Sequence, residues 1–151
     1  MSNRDPETEY DPPLRLQRMP SWLAARMARR AQRLVEEALA HEGARRQHFV
    51  VLTSLAEQGP ASQAALGRRL SIDRSDLHAI LNELEDAGRV ARIRDEADRR
   101  RNVVALTRAG RTALARLDKR VDAAQDALLA SLSGADRREL RRLLERVVQS
   151  D

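Results

Sequence analysis

Cysteine is absent from these 151 residues. Disulfides, thiolate zinc sites and thiol redox sensing are therefore excluded. Aromatic residues are scarce too: Tyr10, Trp22 and Phe49 are all there are, too few for a platform on which single-stranded bases stack. No apolar run approaches the ~20 residues of a membrane span. The opening MSNRDPETEYDPP has no apolar centre of the kind a signal peptide needs. These absences point to a soluble, cytoplasmic chain with no membrane partner. Catalysis has equally little to stand on. There is no cysteine nucleophile, no glycine-rich phosphate loop, and no Ser, His and carboxylate grouping that spacing brings together. Three scattered histidines make no zinc site. The expectation is a protein that is not an enzyme and holds neither metal nor cofactor.

What is present is arginine, and its placement matters more than its amount. The net charge is +5. From Arg89 to Arg111, eight arginines stand against Asp95, Glu96 and Asp98, a balance of +5 in that window, so the rest of the chain sums to zero. Positive charge concentrated in this way suits phosphate binding, because affinity follows the number of phosphates neutralised. A solvated arginine-rich surface is the plainer alternative.

Hydrophobic periodicity supplies the frame for that charge. Residues 1–19, with three prolines among the first thirteen, read as a flexible arm. Pro20 suits the first turn of a helix that runs through Trp22 to about His41 and stops at Gly43, with Leu23, Met27, Ala31, Leu34 and Ala38 on one stripe. A second helix spans about Arg45 to Gln58 and is ended by Gly59-Pro60. Ser62 caps a short third helix, Gln63 to Leu70, and Asp73 caps a fourth, whose stripe is Leu77, Ile80, Leu81 and Leu84 and whose stop is Gly88. Two strand-like runs, Val90–Ile93 and Val103–Leu106, flank a charged turn. Thr107 caps a fifth helix that reaches about Ser131, with Leu114, Leu117, Val121, Ala124 and Leu128 in heptad steps, and a last helix covers about Ala135 to Gln149.

The order of parts is a helix-turn-helix followed by a hairpin. The fold class expected is mainly α with a small β-hairpin wing (α+β), a winged helix-turn-helix with a helical dimerisation arm. Residues 45–107 form the DNA-binding domain, and 20–44 with 108–151 form the arm. The outer helices carry apolar stripes that a domain this small has little room to bury, so a dimer seam is expected at Leu23, Met27, Leu114, Leu117, Val121, Leu128, Leu140, Leu144 and Val147. A bundle of the first, fifth and sixth helices within one chain is the alternative.

In a helix-turn-helix the second helix enters the major groove and its first turns reach base edges. That face offers Arg74, Ser75 and His78, with Asn82 a turn further on. Asp76 could accept from a cytosine amino group, although charge compensation at a helix start accounts for it as well. Ser62 and Gln63, at the start of the preceding helix, are placed to meet a phosphate. The turn Asp95-Glu-Ala-Asp-Arg-Arg-Arg101 holds six charges in seven residues, far beyond what a tight hairpin asks for. A hairpin tip of this kind can enter the minor groove, whose negative potential attracts arginine. Arg99, Arg100 and Arg101 are the candidates, with Asp98 free to pair with a neighbouring arginine and fix the loop. Double-stranded DNA is thus the expected partner. A non-specific architectural DNA binder and a winged-helix protein-interaction module are the alternatives to a sequence-specific regulator.

Asp98-Arg99-Arg100, then Leu106-Thr107 and Ala109-Gly110, are similar to the wing and wing-to-helix junction of the multiple antibiotic resistance regulator (MarR) family of transcription factors. Leu84 to Val90 (LEDAGRV) resembles that family's recognition-helix exit. The resemblance spans about residues 20–149 and is most specific over 62–110. It implies a homodimer built by the first, fifth and sixth helices, a pseudo-palindromic operator, recognition helix 73–87 in the major groove and wing 90–106 in the minor groove, with Arg100 as the minor-groove arginine. It implies a repressor that a small aromatic or phenolic acid releases. The candidate lining for that effector is Trp22, His48 and Phe49, with Arg15 or Arg18 to meet a carboxylate.

Overall fold

The computed structural model describes residues 11–149. The part of the arm at residues 1–10 lies outside the described residues. Pro12 and Pro13 restrict the backbone ahead of α1 (Leu14–Gln17), a single helical turn closed by Leu16 N–H donating to Pro13 O at 2.8 Å and by the Gln17 side chain donating to Pro12 O at 2.7 Å. The flexible-arm expectation is corrected for these four residues, where the fixed φ of two prolines makes one turn easy to start.

The long elements follow their predicted stripes and stops. They are α2 (Pro20–Ala40), α3 (Arg46–Gln58), α4 (Gln63–Leu70), α5 (Arg74–Asp86), β1 (Val90–Arg94), β2 (Asn102–Leu106), α6 (Arg108–Leu128) and α7 (Gly134–Val148). Side-chain caps start four of the helices. Ser62 accepts from Ala65 N–H, Asp73 from Ser75 N–H, Thr107 from Gly110 N–H and Ser133 from Asp136 N–H. β1 and β2 pair antiparallel, with Val90 opposite Leu106 and Arg94 opposite Asn102. Ala61 bridges Val104 on the other edge of β2, at 2.8 and 3.1 Å, which ties the entry of α4 to the base of the wing.

The core gathers one apolar face from every part of the helix-turn-helix. Leu52, Leu66, Leu77, Leu81 and Leu84 are fully or almost fully buried, together with Val90 and Val104 of the wing and Leu39 of α2. Into the same cluster α6 inserts Leu114, 8% exposed, and Leu117, 0% exposed. These two side chains are therefore not seam residues. They are buried in the protomer's own core, and Val121 packs against that core as well. The heptad stripe is real, but its first half serves the chain itself: α2 lies along α6 within one protomer. The other seam candidates stand differently. Met27, Leu128 and Leu140 are half-buried, while Leu23, Leu144 and Val147 are 52%, 38% and 73% exposed. No residue of α7 is buried.

The start of α6 is clasped to the turn between α5 and β1. The Thr107 hydroxyl donates to Gly88 O at 2.6 Å and Thr107 N–H donates to Arg89 O at 3.1 Å. Gly110 allows this approach, since a Cβ there would lie 2.0 Å from Arg89 O. Glu42 reinforces the joint from the α2–α3 corner, accepting from Arg116 at 3.2 Å and Arg120 at 3.3 Å.

Because Leu117 belongs to the protomer core, Leu117→Ala is expected to lower unfolding free energy by about 2–5 kcal/mol in urea denaturation, the range for such cavities. Leu117→Glu should unfold the protomer. A folded Leu117→Glu monomer would contradict this placement.

Candidate nucleic-acid interface

The DNA-facing candidates start at the two caps of the helix-turn-helix. Gln63, Arg68, Ser71, Arg74, Ser75 and His78 line one open concavity between α4 and α5. Ser71 makes the bend between them in the left-handed region, at φ 52°. Arg74, Ser75, Asp76 and His78 are exposed on the first turns of α5, and Ser62 and Gln63 are half-buried at the start of α4. The Ser75 hydroxyl donates to Asp73 Oδ1 at 2.5 Å, so it doubles the cap. These bonds hold the Asp73 carboxyl below its ordinary value, the side-chain bond from Ser75 first and its backbone bond second.

Asn82 departs from expectation. It is half-buried, and its carbonyl oxygen accepts from the Arg92 guanidinium at 3.0 Å. Asn82 therefore faces the wing strand, because β1 folds back over the C-terminal turns of α5.

The wing tip is an ordered loop. Asp95 N–H donates to Arg101 O and Arg101 N–H to Asp98 O, each at 2.9 Å. Asp95 accepts from Ala97 N–H and Asp98 from Arg100 N–H, each at 3.0 Å, and Arg94 donates to Arg99 O at 2.8 Å. Asp98 thus fixes the loop through backbone, where the sequence allowed a pairing with an arginine side chain. The guanidinium groups of Arg74, Arg99, Arg100 and Arg101 meet no carboxylate at ion-pair distance among the described residues. All four are exposed. Unneutralised arginines on a braced loop and on a helix start are what backbone phosphates and groove edges attract.

The five effector candidates stand in different surroundings. His48 is 7% exposed, and both ring nitrogens are engaged. Its Nδ1 accepts from Arg45 N–H at 3.2 Å, so Nε2 carries the proton and meets Glu83 Oε2 at 2.7 Å. His48 is therefore a strut between α3 and the recognition helix, not a free pocket ligand. Arg15 and Arg18 are exposed on and beside α1, Trp22 is half-buried at the start of α2, and Phe49 packs against the core. The concavity that opens between α2 and α3 is lined by Ala28, Ala31, Gln32, Val35 and Arg46, with none of the five candidates among them.

Sequence reasoning missed Arg45, Glu83, Glu85 and Arg92. Arg45 and His48 both bond Glu83, while Arg92 bonds Glu85 and Asn82. Partners separated by 35 and 38 residues leave no local pattern to read.

A helix-turn-helix whose second helix is braced to a basic hairpin defines a winged helix-turn-helix DNA-binding protein. The comparisons agree. The MarR family pattern matches residues 45–101. The HTH-type transcriptional repressor Rv2887 of Mycobacterium tuberculosis is 34% identical over 113 residues, which is 75% of this chain and 81% of that one. The crystal structure of the M. tuberculosis MarR family protein Rv2887 in complex with DNA superposes with a TM-score of 0.72 at 32% identity, covering 91% of this chain and 98% of that chain. CouR from Rhodococcus jostii RHA1, solved bound to p-coumaroyl-CoA, gives 0.74 at 26% identity over 90% and 96% of the two chains. The chain belongs to the MarR family. It is a DNA-binding transcriptional regulator, not an enzyme. No helix among the described residues is long and apolar enough to cross a membrane.

The Glu83 strut carries a pH signature. Hydrogen bonds from Arg45 and then His48 hold its carboxyl below the ordinary value of 4.5. A depressed carboxylate stabilises the fold above its unfolded-state pKa, and that contribution is lost as pH falls through the lower folded-state value. Thermal melts of wild type and Glu83→Gln should therefore differ at neutral pH and converge well below pH 4.5. A gap that persists unchanged in acid would contradict the strut.

Proposed function

We propose that the chain acts as a homodimer that places two winged domains on a pseudo-palindromic operator and represses transcription there. Recognition helix 73–87 reads the major groove through Arg74, Ser75 and His78. Wing 90–106 enters the minor groove with Arg100 between Arg99 and Arg101. Ser62 and Gln63 steady the register on phosphates. The observation that carries this reading is the sorting of arginines: Arg92 and Arg94 of the wing strand are bonded internally, and those at 74 and 99–101 form no ion pair among the described residues. Residues 45–107 are the reader, and 20–44 with 108–151 the dimerisation arm. Support for the arm comes from α7, which has no fully buried residue and exposes Leu143, Leu144, Val147 and Val148. A two-fold partner is the commonest cover for such a face.

A small aromatic effector that lowers DNA affinity completes the reading. The p-coumaroyl-CoA held by CouR supports this class of ligand. Trp22 and Phe49 remain the aromatic candidates near α2 and α3, and Arg46, in the concavity between those helices, is placed to meet an acid group.

Fluorescence polarisation with the DNA upstream of the chain's own gene, beside a scrambled duplex at the same salt, tests the reading. Tighter binding to the native duplex is expected, with phenolic acids added to the complex lowering the signal. Arg100→Ala should weaken native binding by about 1–3 kcal/mol. Equal affinity for both duplexes, or an Arg100→Ala protein that binds as wild type does, would contradict it. Leu144→Glu with Val147→Glu should yield a folded monomer in sedimentation, because both side chains are exposed in the protomer. An intact dimer would move the seam elsewhere.

A further inference from the structure

A protein that reads a major groove with a helix and the next minor groove with a wing must straddle the sugar–phosphate backbone between them. The separation and angle of the two readers are then part of recognition. In this chain α5 and β1 are joined covalently by the short turn Ala87–Arg89 at one end only. A second fastening lies along the strand. Arg92 donates through its guanidinium to Glu85 and, at 3.0 Å, to Asn82 Oδ1, while Arg92 N–H lies 3.4 Å from Glu85 Oε1. Arg92 and Arg94 share a face of β1 by the two-residue repeat of a strand. Arg94 braces the tip through Arg99 O, so one face of the strand braces the wing twice: Arg92 at its base, Arg94 at its end.

The chemistry of the contact sets what Asn82 can do. A guanidinium has donors and no acceptor, so the atom of Asn82 that meets it must be the carbonyl oxygen. The amide NH2 is not engaged by that contact, and the oxygen keeps the second of its two acceptor positions. An asparagine that reads adenine by the paired contact needs both oxygen and nitrogen. Held by Arg92, Asn82 has the plane of its amide fixed, with the NH2 able to donate to a phosphate oxygen or to an acceptor on a base edge. Arg92 also neutralises Glu85, which would otherwise set a bare carboxylate beside the strand that faces DNA.

We infer that Arg92 is a positioning residue of the DNA-binding surface: it pins the wing to the recognition helix and fixes the orientation of the Asn82 amide. The inference rests on the winged-domain reading proposed above. It assigns specificity to a residue that need not touch a base, through the geometry it imposes on two that do.

The test uses the full-length chain and a duplex that wild type selects from a randomised pool, with a scrambled duplex as control. Arg92→Met keeps the aliphatic stem and removes donors and charge. It should weaken binding to the selected duplex about tenfold, the loss typical of one good contact. In an Arg100→Ala background the same change should cost less than about threefold, because a wing that is no longer held has already lost its arginine's contribution. A fresh selection with Arg92→Met should return a changed base preference, which a merely stabilising residue would not produce. Arg92→Lys, which keeps the charge without the fork, should likewise leave the base preference changed. Wild type that fails to prefer its selected duplex would overturn the underlying reading. With wild type selective, an unchanged Arg92→Met affinity and selection would overturn this inference alone. Equal losses in both backgrounds would overturn it too, making Arg92 an independent phosphate contact.

Discussion

The rest of the structure depends on how α6 is seated. Its first turn is clasped to the turn before the wing by Thr107, with Gly110 admitting Arg89 O where no side chain would fit. One turn on, Leu114 and Leu117 enter the core that the helix-turn-helix shares with β1 and β2. A long helix anchored in this way cannot tilt without moving the base of the wing. The arm formed by α2 and α6 and the DNA-reading surface therefore behave as one lever. A change in how two arms sit together would be felt as a change in the spacing of two readers. That is the physical basis on which a ligand lodged near the arm could act at a distance, by favouring one of two spacings.

Electrostatics divides the arginines into two working groups. Arg45, Arg92, Arg116 and Arg120 are paired with Glu83, Glu85 and Glu42; the Arg92 pair joins the consecutive elements α5 and β1, and the others join elements distant in sequence. Most are partly exposed, so each adds little to stability by itself. Their value is directional: α5 is held to α3 on one side and to β1 on the other. Among the described residues the arginines at 74 and 99–101 form no such pair, which supports their proposed place against a polyanion. The window from Arg89 to Arg111 is thus less basic in effect than its count of eight arginines suggests, since Arg92 is neutralised within the fold and Arg94 is tied to backbone. Arg99, Arg100 and Arg101 at the tip, like Arg108 and Arg111, form no ion pair among the described residues, although Asp95, Glu96 and Asp98 balance the charge count of the tip itself.

Most of the fold was legible in the sequence because its determinants are local. Ser62, Asp73, Thr107 and Ser133 cap helices that their apolar stripes already outline, and Gly43, Gly59 and Gly88 take the positive φ angles that end others. The wing register followed from the two short apolar runs and the charged turn between them. What was not legible is which surface a stripe meets. The heptad steps through Leu114, Leu117 and Val121 describe a helix with a seam but do not say whether the seam is another chain or the protomer's own core. Leu117 lies wholly in that core, whereas the faces left uncovered are on α7 and the start of α2. The contacts of His48 and Asn82 were not legible for the same reason. Their roles are set by Glu83 and Arg92, and hydrogen bonds between side chains 35 or 10 residues apart leave no periodic trace. The single turn of α1 is too short to show a stripe at all.

In the proposed dimer, two identical winged units held at a fixed separation read one DNA duplex. Selection of binding sites from a randomised duplex pool by the wild-type protein tests it most directly. The account predicts an enriched sequence made of two inverted half-sites spaced by about one helical turn, as two-fold helix-turn-helix dimers require. A single unpaired half-site, or a pool that gains no sequence preference while still binding in a salt-sensitive way, would contradict it.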